Sequence, residues 1–228
     1  MYVNRLIALT LVKLIGIIRS GGNALRRTKE EAQGTRDDIL DAAERVFFDR
    51  GVSRTSLEQV AREASVTRGA VYWHFRNKAD LFNALVDRVR MPMENAFYEI
   101  VKTAETLEHL ERLCTTNLLR IDHDKRLRRV YTVLLLRCEY TEDMTNMVER
   151  ERATKRKVTA ALTHFFEQLQ KAGKMNTSIA PRTLALALYA YMLGLYTDYL
   201  RAPEQYHLED DAKGLIGLFF APLKSDVD

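Results

Sequence analysis

Apolar side chains return every three or four residues along most of this chain, and the alternation of a half-buried strand never persists beside them. From Thr28 onward the pattern therefore predicts helices almost throughout. Ile39, Ala42, Ala43, Val46 and Phe47 make the buried stripe of the first helix, and Gly51 is placed to end it as a C-cap. Thr55 with Glu58 three residues on reads as a capping box, followed by a short stripe of Leu57, Val60, Ala61 and Ala64. Val66 sits in a tight break, and Thr67 can cap a second short helix running through Tyr72–Phe75. Asn77 can cap a longer helix that starts at Lys78 and carries Leu81, Leu85 and Val89, with Pro92 inside it as a source of a kink. Further helices are expected over 107–122, 125–139, 142–172, 182–201 and 208–220. Breaks are expected near Asp122–Asp124, Tyr140–Thr141, Gly173–Pro181 and Ala202–Pro203.

Two short helices joined by about three residues form a helix-turn-helix, whose second helix enters the major groove of DNA. Here that second helix carries Thr67, Arg68, Gly69, Tyr72, Trp73 and His74, a polar and aromatic set for so few positions. An ordinary pair of core helices with a solvated face fits the same spacing, so pattern alone leaves both readings open. Charge distribution tilts the balance. Residues 1–78 hold 14 Lys/Arg against 9 Asp/Glu, whereas the remaining 150 hold 21 against 22. A modest basic surplus in the segment holding the motif suits a surface that neutralises phosphates. With 46% hydrophobic residues, four prolines and ten glycines, a chain of 228 residues can bury a sizeable helical core.

The run TRGAVYWHFRNKADL resembles the recognition-helix signature of the TetR family of bacterial transcriptional repressors. Upstream, RRTKEEAQGTRDDILDAAERVFFDRGVSRTSLEQVA is similar to the first helix of the AcrR-like branch, which controls multidrug efflux pumps. RCEYTEDM and YAYMLGLYTDYLRAPE, further on, also look like that branch. The resemblance spans residues 26 to about 210 and implies an all-α fold of two parts. Residues 26–77 would read DNA as a three-helix domain, and residues 78–228 would bind a ligand and dimerise. One departure stands out: where family members commonly carry Gly in the turn, this chain has Ser65, which in a left-handed conformation bears strain of about 1–2 kcal/mol.

Residues at a helix N-terminus are the ones that reach base edges, which nominates Thr67, Arg68 and Gly69. The Arg68 fork matches guanine O6 and N7, and Gly69 lets backbone approach a duplex closely. By resemblance, Tyr72 and His74 hydrogen-bond phosphates and Trp73 packs on the sugar–phosphate wall. Thr55 and Lys78 open the flanking helices, where a phosphate is favoured. Arg26, Arg27 and Lys29 are either a short basic arm for DNA or plain solvated charges.

In the second part, Tyr189, Met192, Leu193, Tyr196, Tyr199 and Leu200 form one helical stripe, and Leu184, Leu188, Tyr191 and Leu195 a second. A helix apolar on two faces is buried on two sides. Leu215, Ile216, Phe219 and Phe220 add an apolar final helix. The resemblance implies that these last two helices pair with their copies in a four-helix homodimer interface; one monomeric core is the alternative. It also places Val89, Met93, Leu113, Asn117, Tyr131, Leu135, Val158, Leu162, Tyr189, Met192 and Leu193 near a ligand cavity. Most are apolar, as pockets for drug-sized molecules are. Related efflux regulators often carry an acid or amide where this chain has Leu135 and Leu193.

The expected function is thus a cytoplasmic, homodimeric repressor of a multidrug efflux operon, released from a palindromic DNA operator by a small apolar or aromatic compound. A repressor of another metabolic pathway is the nearest alternative; a helical enzyme or a membrane-associated adaptor are more distant ones. No phosphate loop, dinucleotide fingerprint, zinc motif or nucleophile elbow is present, so neither cofactor, metal nor catalysis is expected. Cys114 and Cys138 read as free thiols in helical apolar patterns. Residues 1–25 include an apolar run from Leu6 to Ile18, too short to span a membrane and split by Lys13. They read as an extension that the fold does not need, with no membrane partner.

Overall fold

The computed structural model describes residues 29–138 and 145–224, without the side chains of 90–96, 100, 145 and 146. Residues 1–25, Arg26 and Arg27, and the break expected at Tyr140–Thr141 lie outside that range. Every regular element among the described residues is helical. Helix α1 occupies 29–50, α2 Leu57–Glu63, α3 Arg68–His74, α4 Lys78–Thr103, α5 Leu107–His123, α6 Lys125–Leu136, α7 Thr145–Lys171, α8 Pro181–Arg201 and α9 Leu208–Phe220.

The stops and starts follow backbone chemistry. Gly51, at φ 80°, closes α1 in the left-handed conformation that glycine adopts without strain. The capping box of α2 belongs to Ser56 and Gln59, one residue later than the expected Thr55 and Glu58. Thr55 is 3% exposed, and its hydroxyl donates to the Gly51 carbonyl at 2.8 Å, so its side chain braces the preceding turn. Thr67 caps α3 by accepting from the Ala70 N–H, and Asn77 caps α4 by accepting from that of Asp80. Helix α4 continues through Pro92 to Thr103. Helix α6 ends at Leu136, three residues before the expected 139. There the Arg137 carbonyl accepts from Val52 N–H at 3.2 Å and its guanidinium donates to the Asp49 carbonyl at 3.3 Å, pulling the chain out of helical register.

Two hydrophobic clusters organise the packing. The first holds Ile39, Leu40, Ala43 and Phe47 of α1, Val60 of α2, Val71 of α3 and Leu81, Phe82 and Leu85 of α4. The start of α4 thus packs with α1 to α3, and the same cluster recruits Val130, Val133 and Leu134 from α6. The second cluster joins α5, α7, α8 and α9 through Leu110, Leu118, Phe166, Leu188, Ile216 and Phe220, with Leu127 and Tyr131 of α6. Helix α6 is a shared wall between the two. Cys114 lies in the second cluster, where burial pushes its thiol up to about 12 and keeps it protonated at neutral pH.

Candidate DNA interface and ligand cavity

The turn between α2 and α3 is a Schellman motif: Val66 N–H donates to the Ala61 carbonyl at 3.0 Å and Ser65 N–H to that of Arg62 at 3.2 Å. This pairing forces Ser65 to φ 54°, the left-handed conformation the sequence anticipates. Ser65→Gly is accordingly expected to raise stability by about 1 kcal/mol without altering the motif. A thermal midpoint unchanged or lowered in that variant would show that Ser65 bears no strain.

The seven residues of α3 bury only Val71; with Phe75 at the C-cap, this anchors the helix to the first cluster. Thr67, Arg68, Gly69, Tyr72 and Trp73 all stay exposed on its outer side, and Trp73 is 73% exposed. A tryptophan this open is unusual in a surface without a partner. The Arg68 guanidinium stacks over the Tyr72 ring at 5.3 Å and donates to its hydroxyl at 3.4 Å, which raises the arginine pKa further. A Cβ at Gly69 would meet nothing nearer than Thr67 Oγ1 at 3.8 Å, so internal packing does not demand glycine there. His74 is half-buried, with its ring edge-on to Trp73 at 4.5 Å. Desolvation, then the nearby Arg36 charge, lower its pKa. Lys78 is half-buried, and its ammonium donates to the Ser53 carbonyl at 2.9 Å, tying the start of α4 to the turn before α2. Thr55 is the one nominated side chain turned inward, away from this surface.

The ligand candidates gather at a second place. A partly open cavity of about 140 Å³ lies between α4 and α8, and Asn117, Tyr131, Leu135, Val158, Leu162, Tyr189, Met192 and Leu193 all line it. Val89 instead packs against both hydrophobic clusters, Leu113 is buried in the second, and the Met93 side chain lies outside the described set. Phe97, Leu134, Glu151, Thr154, Leu188 and Tyr196 complete the lining. Glu151 and Thr154 stand in a run of charged residues on α7 that reads as a solvated face, so nothing in periodicity singles them out. Glu151 places an acid in the lining, while Leu135 and Leu193 contribute apolar side chains.

Asn117 is 8% exposed, and no other described residue hydrogen-bonds its side chain. The Tyr196 hydroxyl likewise has no protein hydrogen-bond partner among the described residues; burial pushes its pKa well above the usual phenol range. Both polar groups face the cavity, whose lining is aromatic and aliphatic apart from them, Glu151 and Thr154. A wider groove of about 990 Å³ between α1, α4 and α7 is lined largely by paired charges and lacks that apolar wall. Along α8, Leu193 is 39% exposed and Gly194 faces open space; on α9, Leu218 is 73% exposed and Gly214 is open.

Residues 39–85 match the family described as bacterial regulatory proteins, tetR family, and residues 105–224 the C-terminal region of MAATS-type transcriptional repressors. The HTH-type transcriptional regulator TtgR of Pseudomonas putida is 36% identical over 199 residues, 83% of this chain and 91% of that protein. The crystal structure of NalD, the secondary repressor of the MexAB-OprM multidrug efflux pump in Pseudomonas aeruginosa, superposes with a TM-score of 0.79 at 38% identity, covering 87% of this chain and all of that one. The complex of SmeT, from Stenotrophomonas maltophilia, with triclosan superposes with a TM-score of 0.73 at 28% identity, over 85% of this chain and 93% of that one.

Proposed function

The chain belongs to the TetR family of bacterial regulatory proteins, and from that premise we propose that it represses a multidrug efflux operon and is released from DNA by a small aromatic compound. Its relatives include repressors of such pumps, and the family consists of transcriptional regulators. The observation that carries the ligand reading is the cavity between α4 and α8, largely apolar and aromatic, with Asn117, the Tyr196 hydroxyl, Glu151 and Thr154 as its polar groups. An aromatic molecule with one donor and one acceptor would satisfy the Asn117 amide and the Tyr196 hydroxyl. At about 140 Å³ the space is smaller than the 300 Å³ or more of a drug-sized site, so binding must push its walls apart.

For the other end we assign base reading to Thr67, Arg68 and Gly69, and backbone contact to Tyr72, Trp73, His74 and Lys78. Thr55 acts behind that surface by bracing the turn. The exposed Leu193 and Leu218, beside open glycines, support a homodimer through α8 and α9. Two-fold symmetry would then set the recognition helices about 34–36 Å apart on a palindromic operator. We divide the chain within α4 rather than before it, because Leu81 to Val86 pack with the DNA-reading part.

Trp73 is the only tryptophan, so intrinsic fluorescence reports on the recognition helix alone. Titration with a duplex selected from a random pool should change that fluorescence at a salt-dependent midpoint, and triclosan should reverse the change. Equal binding to every duplex, or complexes that triclosan leaves intact together with no triclosan binding to the free protein, would sink the respective half of this reading.

A further inference from the structure

The two parts of the molecule meet across an ionic cluster built around one buried carboxylate beside the shared wall of α6. Glu44 of α1 is 1% exposed, deeper than any other acidic residue described. Both Nε and Nη2 of Arg129 on α6 lie 2.6 Å from its Oε1. Its Oε2 lies 3.2 Å from Arg126 Nε and 3.8 Å from Arg88 Nη2 of α4, close enough for charge attraction but out of line for a hydrogen bond. One helical turn earlier, Asp41 takes both Arg88 Nη2, at 2.7 Å, and Arg126 Nη2. Two carboxylates of α1 are thus held by three guanidinium groups from α4 and α6, and only Glu44 among the five is fully buried.

The register of α6 ties this cluster to the cavity. Arg129, Val130 and Tyr131 are consecutive and point three ways: to Glu44, into the first hydrophobic cluster, and into the cavity lining. Leu134, one turn on, belongs both to the first cluster and to the lining. Widening the cavity at Tyr131 and Leu134 must therefore move Arg129, and Arg129 cannot leave the buried Glu44 without taking away the hydrogen bonds to its Oε1. Apolar contacts between the same helices can slide; a charge-assisted hydrogen bond to a buried carboxylate is directional and resists it.

We propose that Glu44 is the positioning residue that transmits displacement of α6 to the DNA-reading part, by holding α1 to Arg129 and Arg126 so that the recognition helix moves with α6 instead of independently. This inference rests on the DNA-binding reading above, and its test separates the two.

Wild type, Glu44→Gln, Arg129→Gln and the double variant would be compared as full chains. Affinity is measured on a duplex that the wild type selects from a random pool. Single-molecule energy transfer between dyes at Arg62→Cys and Arg182→Cys, with both native cysteines replaced, reports the placement of one part against the other within a chain. Glu44→Gln keeps the shape and removes the charge, and it should weaken binding by about tenfold or more and broaden the transfer distribution. The double variant should be no weaker than the worse single one, since both remove the same ion pair. Binding within about threefold of wild type, or losses that add in the double variant, would overturn the proposal even if thermal stability falls, because such a Glu44 would serve packing alone. Should Glu44→Gln fail to fold, Arg129→Gln carries both readouts from a half-exposed position. If the wild type selects no duplex, the DNA-binding reading fails, and an unbroadened transfer distribution in the variants overturns this proposal on its own.

Discussion

Arg68→Ala is expected to cost about 1–3 kcal/mol of operator affinity and to relax the preference at one base pair in each half-site. The physical case rests on how this side chain is held. Its guanidinium is fully exposed yet stacked on Tyr72, with a hydrogen bond to the phenol one turn on. The fork is therefore partly ordered before it meets a base, and binding costs less conformational entropy. Tyr72→Phe removes only the hydrogen bond and should give a smaller loss with the preference intact. Lys78→Ala should behave differently again. Its ammonium anchors the Ser53 carbonyl, so the variant loosens the start of α4 and weakens all sequences alike. Its salt slope should also drop, by about one for each phosphate that the protein no longer neutralises. These changes are read by anisotropy on operator and single-mismatch duplexes at several salt concentrations. Identical sequence profiles for Arg68→Ala and Lys78→Ala would defeat the division between base reading and anchoring.

Met192→Trp is expected to abolish the response to an aromatic inducer while leaving repression in place. Met192 is 8% exposed on α8 and lines a cavity of about 140 Å³ together with Tyr131 and Leu135 of α6. A larger ring there fills the space a ligand would occupy, and overpacking costs about 1–3 kcal/mol of stability, which a folded helical chain of this size tolerates. The variant should bind the selected duplex as the wild type does, because the recognition helix lies in the other hydrophobic cluster. Triclosan titrations with and without saturating duplex supply the decisive comparison. If ligand weakens DNA affinity by some factor, DNA must weaken ligand affinity by the same factor. Triclosan affinity that is independent of bound duplex in the wild type, or a Met192→Trp protein that still responds, would remove the cavity from the switch.

The outward face of α3 and the turn before it are largely legible in the sequence because their information is local. Caps, a turn and a stripe of apolar positions depend on residues within one or two turns of one another. Thr67 and Asn77 accordingly cap their helices as expected, and Ser65 adopts the left-handed conformation that the missing glycine implies. The cap of α2 slipped by one residue for a local reason too: Thr55 and Ser56 are adjacent hydroxyls, and a hydrogen bond to Gly51 decides which of them turns inward. Helix α6 was overextended by three residues because its end is set by Arg137, whose partners Asp49 and Val52 lie far back in the chain.

By itself, then, the sequence determined a helical chain, the outward set of Arg68, Tyr72 and Trp73 on the short helix α3, and eight of the side chains that line the cavity. Helical periodicity and capping act over one turn, and they leave the same trace in any surroundings. Only the tertiary structure decided that Glu151 and Tyr196 face the cavity, that Val89 and Leu113 do not, and that Glu44 is buried among three arginines. In the sequence Glu44 is one acid among many on a charged helix, and Arg126 and Arg129 lie more than 80 residues away. A carboxylate becomes buried when the helices on either side of it bring enough positive charge to offset its lost hydration. That balance depends on how α1, α4 and α6 cross, and no local pattern in the chain encodes the crossing.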